Sequence, residues 1–161
     1  MLGGDIQIRW SSEDHRGDIA LDANSADIST DIGLETAIII SLFTDKRAGA
    51  DELPIKETSR RGWWGDAVAD LPNDQIGSKL WLLHREKELR SVAARAKQYA
   101  EESLQWLIET KIASKVEVES ELLGNGVLAL AVRISRPGKT ELTEYRYNYN
   151  WDAQEAKKYA V

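Results

Sequence analysis

LRSVAARAKQYAEESLQWLIETK, residues 89–111, and the stretch that soon follows it, VEVESELLGNGVLALAVRIS, residues 116–135, decide the fold of this chain. In the first stretch, apolar or small residues recur at Leu89, Val92, Ala93, Ala96, Tyr99, Ala100, Ser103, Leu104 and Leu107. That spacing is one stripe of an α-helix, and Arg90, Arg95, Lys97, Glu101, Glu102 and Gln105 fall on the opposite face. No proline interrupts it. In the second stretch the period changes to two. Val116, Val118 and Leu122 alternate with Glu117, Glu119 and Glu121, the pattern of a strand with one wet face, and Ser120 breaks the apolar row. Gly124-Asn125-Gly126 supplies left-handed backbone for a hairpin turn, and Leu128, Leu130, Val132 and Ile134 mark the return strand.

Working outward, Arg136-Pro137-Gly138-Lys139 is a turn in which Pro sets φ and Gly accepts a positive φ. Tyr145, Tyr147, Tyr149 and Trp151 then alternate with Glu144, Arg146, Asn148 and Asn150. A long helix followed by three antiparallel strands predicts an α+β domain: a long amphipathic helix and shorter helices packed on a small antiparallel sheet. Residues 78–83 predict a shorter helix ending near the charged run 85–88. Residues 33–44 read as a helix in preference to a buried strand, because Leu34, Ala37, Ile38, Ser41 and Leu42 share a face, with Thr30 or Asp31 as N-cap. Between them, 45–77 is a loop punctuated by Gly49, Pro54, Gly62, Gly65, Pro72 and Gly77, and loops of that length are uncommon unless functional. Residues 5–10, 18–22 and 27–31 form N-terminal strands or an extended arm. The chain thus divides into an N-terminal segment 1–32, a domain 33–151 and a tail 152–161.

Composition narrows the function. The chain has 161 residues, a net charge of −6 and no cysteine. The acidic balance argues against a nucleic-acid binder, which needs cations for phosphates. Disulfides, thiol nucleophiles and Cys-based zinc sites are excluded. The N-terminus lacks a signal-peptide pattern, and the apolar run 37–40 is far short of a membrane span, so a soluble chain that starts in the cytoplasm is expected.

No phosphate-binding loop, dinucleotide fingerprint or nucleophile elbow is present. His15 and His84 lie in polar surroundings and read as surface residues. Glycosidases use two carboxylates, but 27 acids guarantee candidate pairs and single out none. No catalytic residue, cofactor or metal site is therefore assigned. Arg60, Arg61, Trp63 and Trp64 combine cations with large rings, either as an anchor for a partner or as a pin holding the loop to its own core. The row Tyr145, Tyr147, Tyr149 and Trp151 would cover roughly 600–1,000 Å² at about 150–250 Å² per ring, more than a soluble protein leaves bare. The 89–111 helix accounts for part of that cover; a partner protein or a stacked glycan accounts for the rest.

Read together, SLFTDKRA (41–48), DELP (51–54), RGWWGD (61–66) and GSKLWLL (77–83) resemble the small baseplate protein family of Mu-like contractile-tail phages and prophages. The resemblance spans about residues 30–136. That family is itself similar to the wedge proteins of T-even phages long labelled lysozyme-like. The resemblance implies a virion structural subunit, a six-fold arranged wedge component made in the host cytoplasm and carried in the tail baseplate. Its implied partners are the sheath end and other, larger wedge proteins, with no nucleic acid, membrane or small-molecule substrate. The distant relatives carry Glu-Pro-Arg where the long helix meets the strand, and the matching place here is Glu109-Thr110-Lys111. Lys for Arg replaces a planar fork by a point charge. Glu109 and Lys111 join Arg60, Arg61, Trp63, Trp64, Tyr145, Tyr147 and Tyr149 as expected partner-binding residues. Peptidoglycan cleavage by a lysozyme-like glycosidase is the alternative.

Overall fold

A computed structural model describes residues 5–11, 13–14, 16–21, 30–31, 34–55, 57–69, 75–85, 90–140 and 142–150. The elements run β1 (Asp5–Ile6), β2 (Ile8–Ser11), β3 (Arg16–Ile19), β4 (Thr30–Asp31) and α1 (Glu35–Phe43). Two 3₁₀ helices follow at Trp64–Val68 and Leu80–Arg85, then α2 (Arg90–Leu104), α3 (Trp106–Glu109), β5 (Lys115–Gly124), β6 (Val127–Ser135) and β7 (Leu142–Asn150). The three last strands form an antiparallel meander in the order β5-β6-β7, so the fold is α+β with a long helix on a small sheet. His15, Trp151 and the tail 152–161, on which expectations were placed, lie outside the described residues.

The meander follows its sequence pattern closely. Gly124, Asn125 and Gly126 all take positive φ at the β5–β6 turn. Gly138 does so at the β6–β7 turn, where the Lys139 N–H donates to Arg136 O at 3.2 Å. Leu128, Leu130, Val132 and Ile134 of the central strand are buried against α2, whose Val92, Ala96, Ala100 and Leu104 are fully enclosed. Small side chains on that stripe bring the helix near the sheet. Ser120 fits there because its hydroxyl donates to Ala93 O at 2.7 Å; the break in the apolar row is a helix-to-strand hydrogen bond. The opposite sheet face is wet, as alternation predicts, with Glu117, Glu119 and Glu121 exposed.

Two boundaries differ from expectation. The long helix is interrupted at Gln105. Two residues earlier the Ser103 hydroxyl donates back to Ala100 O at 2.9 Å, a bond that competes with the helix ladder. The N-cap of α1 is Leu34, with no side-chain capping bond, while Thr30–Asp31 pairs as β4 with β1. Thr36 takes up the polar duty inside the first turn instead: its hydroxyl accepts from Ile8 N–H at 2.9 Å and donates to Ile6 O at 3.2 Å. That residue ties the N-terminal strands to α1.

The same strands reach the C-terminal one. Trp10 stacks on Phe43 with centroids 3.9 Å apart, its indole N–H donates to Asn148 O at 3.1 Å, and it meets Tyr147 edge-on. Phe43 also packs on Tyr149 and Tyr147. Half of the tyrosine row is therefore covered by α1 and the N-terminal hairpin β2–β3, a long-range closure that ring-edge contacts of about 0.5–1.5 kcal/mol each reinforce.

Candidate functional site: an apolar groove beside the Trp63–Trp64 turn

The described parts of the 45–77 loop are held, outside the 3₁₀ helix Trp64–Val68, by backbone bonds. Asp45 and Ser78 form a parallel bridge; Lys46 N–H donates to Ser78 O and Ser78 N–H to Thr44 O, each at 2.9 Å. The Ser78 hydroxyl donates to Leu42 O. Gly77 has a φ of +98°, and a Cβ there would collide with the Thr44 carbonyl. Trp81 is the residue that pins the loop. It is buried with Ala48 and Leu82 in a small second core, and its indole N–H donates to Lys46 O at 2.8 Å.

The two arginines of the 60–64 cluster are spent within the chain. Arg61 pairs with Asp45 at 2.9 Å and lies 4.7 Å over the Trp81 ring. Arg60 Nε donates to Ala48 O at 2.6 Å. These contacts are the ones that a pin holding the loop to its own core would make. The rings behave oppositely: Trp63 is 43% and Trp64 78% exposed. Trp63 lies across Gly65, which has no room for a Cβ, and the two indoles meet at 5.4 Å.

These indoles form one wall of an open groove of about 1130 Å³. The β1–β3 strands contribute Ile6, Ile8 and Ile19, α1 contributes Ala37 and Ile40, and the helix end contributes Trp106 and Thr110. Trp106 is held there by its indole N–H on the Ser41 hydroxyl at 3.1 Å. Among the described lining residues the sole formal charge is Asp66. Its Oδ1 accepts from Ile76 N–H at 3.2 Å, closing the far end of the loop.

Glu109 and Lys111 are exposed at the helix end and flank Thr110, which lines the groove. Lys111 adopts a positive φ of 61° to end the helix, with its N–H on Ile108 O at 3.0 Å. The tyrosine row is corrected. Tyr147 is 2% and Tyr149 9% exposed, so both rings lie inside the core on Phe43 rather than on the surface; Tyr145 is half-buried. Burial, together with the Asp45 charge, pushes the Tyr149 hydroxyl up to about 12. Sequence reasoning missed Ile6, Ile8, Ile19 and Trp106 as groove walls because their convergence needs the tertiary closure through Thr36 and Ser41.

A second concavity lies on the wet sheet face, floored by Ala129 and Ala131. At its rim Arg133 clasps Glu119 at 2.7 and 3.0 Å and Glu144 at 2.5 Å. The Arg133 hydrogen bonds hold both carboxyls below their usual range. The Lys79 ammonium and Gly49 N–H do the same for Glu52. A glycosidase acid needs the reverse, a carboxyl raised toward neutrality. Among the described residues no cluster of three or more His, Asp or Glu could hold a metal ion, and no helix is long and apolar enough to cross a membrane.

The fold and groove define a small α+β domain with an open, tryptophan-walled concavity whose described lining carries one formal charge. This chain belongs to the phage protein GP46 family, whose model matches residues 34–141. It is 43% identical over 148 residues to the baseplate protein gp46 of Escherichia phage Mu, covering 91% of this chain and 97% of that relative. It is 37% identical over 147 residues to the Mu-like prophage FluMu protein gp46 of Haemophilus influenzae, covering 91% and 98%.

Proposed function

We propose that this chain is a structural subunit of a phage contractile-tail baseplate and works through protein–protein contacts rather than catalysis. The observation that carries the reading is the 43% identity, along nearly the full length of both chains, to a protein named for the Mu baseplate. Within that role the chain is a wedge component seated between the sheath end and larger wedge proteins. It is assembled in the host cytoplasm and retained in the virion tail. The groove supports the same role: exposed indoles beside isoleucines are the anchor type that dominates protein interfaces. The docking set drawn from it is Trp63 and Trp64, with Glu109 and Lys111 flanking the lining residue Thr110.

Peptide mass analysis of purified tails tests this reading. The chain is expected in intact particles at a fixed ratio to the other baseplate proteins, and deletion of its gene is expected to leave tails without a complete baseplate. Intact, infectious particles lacking the chain would overturn it. Release of soluble fragments from purified peptidoglycan by the folded chain would favour the lysozyme-like alternative instead.

A further inference from the structure

Among the described residues, nothing uses all of Asp66. Oδ1 closes the loop onto Ile76, while Oδ2 is buried and has no hydrogen-bond partner among the described residues. A buried carboxylate oxygen without a donor is costly, and native proteins leave few of them unexplained. The groove that Asp66 lines offers no cation to answer it: the other described lining residues are apolar, aromatic or neutral. Trp63 and Trp64 stand in the same short turn with exposed indole faces, the best aromatic surface for a cation. The groove volume of about 1130 Å³ exceeds what a single small ligand fills, and matches a segment of chain.

We infer that the groove receives an apolar segment of a neighbouring tail protein carrying one lysine or arginine, whose cationic head seats on the exposed Trp63–Trp64 indoles, drawn there by the negative charge of the Asp66 carboxylate beneath them. The apolar flanks of that segment lie on Ile6, Ile19, Ile40 and Trp106. Asp66, the one charged residue among the described lining residues, chooses the sign of the partner; the isoleucines choose its apolar character. The inference rests on the proposed baseplate role only for where the segment comes from, since the chemistry of the groove belongs to this chain alone.

The first test uses the full chain and two probe peptides, acetyl-Ser-Leu-Arg-Leu-Ser-amide and the same peptide with citrulline for arginine. The indole N–H signals of Trp63 and Trp64 are followed by NMR. The arginine peptide is expected to shift them, and citrulline, Asp66→Asn or added salt to weaken binding on the order of tenfold. Asn keeps an acceptor for the Ile76 N–H, so this variant isolates the charge. Trp64→Ala, at an exposed ring, should weaken the same titration without unfolding the chain. Equal binding of both peptides, no shift of either indole with the arginine peptide, or indifference to Asp66→Asn each overturns the inference. So does a dimer of the isolated chain that shields Trp64 from acrylamide, which would make a second copy the occupant. In a second test the chain is co-expressed with the other baseplate proteins of its phage. A wild-type complex that Asp66→Asn leaves unchanged defeats the inference but spares the baseplate role; a wild-type chain that joins none of them, while still binding the arginine peptide in preference to citrulline, defeats the baseplate role and spares the cation site.

Discussion

The chain carries two sets of large aromatic residues that look alike in composition and end in opposite places. Tyr147 and Tyr149 lie two apart on β7; both pack on Phe43, and Tyr147 also meets Trp10. Trp63 and Trp64 are adjacent in a 3₁₀ turn and remain largely in solvent. The difference is one of period and of neighbours. Alternation on a strand sends every ring to one face, and α1 and the N-terminal hairpin cover that face. Adjacent rings in a tight turn cannot share a face with the core, and here the pinning is done by Trp81, seventeen or so residues on in the folded loop's return. An aromatic count therefore says nothing about an interface until the backbone period and the competing anchor are known.

Substitutions at the two sets break or sharpen this contrast. Tyr147→Ala should have the largest effect, a loss of about 3–5 kcal/mol in unfolding free energy by urea denaturation, as for other buried rings. Gly77→Ala comes next. Its φ of +98° and the nearby Thr44 carbonyl predict a cost of about 1–3 kcal/mol, with faster amide exchange confined to the 45–81 layer. Trp64→Ala should change stability by no more than about 0.5 kcal/mol, yet should remove the chain from assembled baseplates. Equal destabilisation by Tyr147→Ala and Trp64→Ala would erase the distinction between core and surface rings.

The smallest effect concerns acid. Glu52, Glu119 and Glu144 all titrate below their ordinary 4.5 in the folded chain. Each contributes stability above that value, and the contribution is lost as pH falls through the lower folded value. Arg133→Met removes the partner of Glu119 and Glu144, so its stability should fall less steeply than wild type below about pH 4.5 in a pH series of urea melts. Because those groups are solvent-exposed, the difference is small and shrinks in high salt.

Much of the fold could be read in advance because its signals are local. The 3.6-residue stripe of α2, the two-residue alternation of β5 and β6, and the Gly-Asn-Gly and Pro-Gly turns each specify backbone geometry within a few residues. The interruption at Gln105 was hidden because Ser103 can point outward or bond back to Ala100, and only packing decides. The groove was half legible. The Trp63–Trp64 string draws attention from sequence, and so do Glu109 and Lys111, which flank the lining residue Thr110. Its isoleucine wall depends on Thr36 bridging β1 and β2 to α1, a contact about thirty residues apart in sequence that no local pattern encodes. Arg61 could equally have faced a partner; its choice of Asp45 and Trp81 emerges only when the loop closes.

The most direct measurement is the mass, by light scattering, of the product purified after co-expressing this chain with a neighbouring baseplate protein of its phage, wild type beside Trp64→Ala. A complex of fixed stoichiometry with the wild type, reduced to free components by Trp64→Ala while the variant keeps its wild-type melting temperature, is the predicted result. A wild-type chain that stays a free monomer with every baseplate protein, or a complex indifferent to the loss of Trp64, would contradict the account.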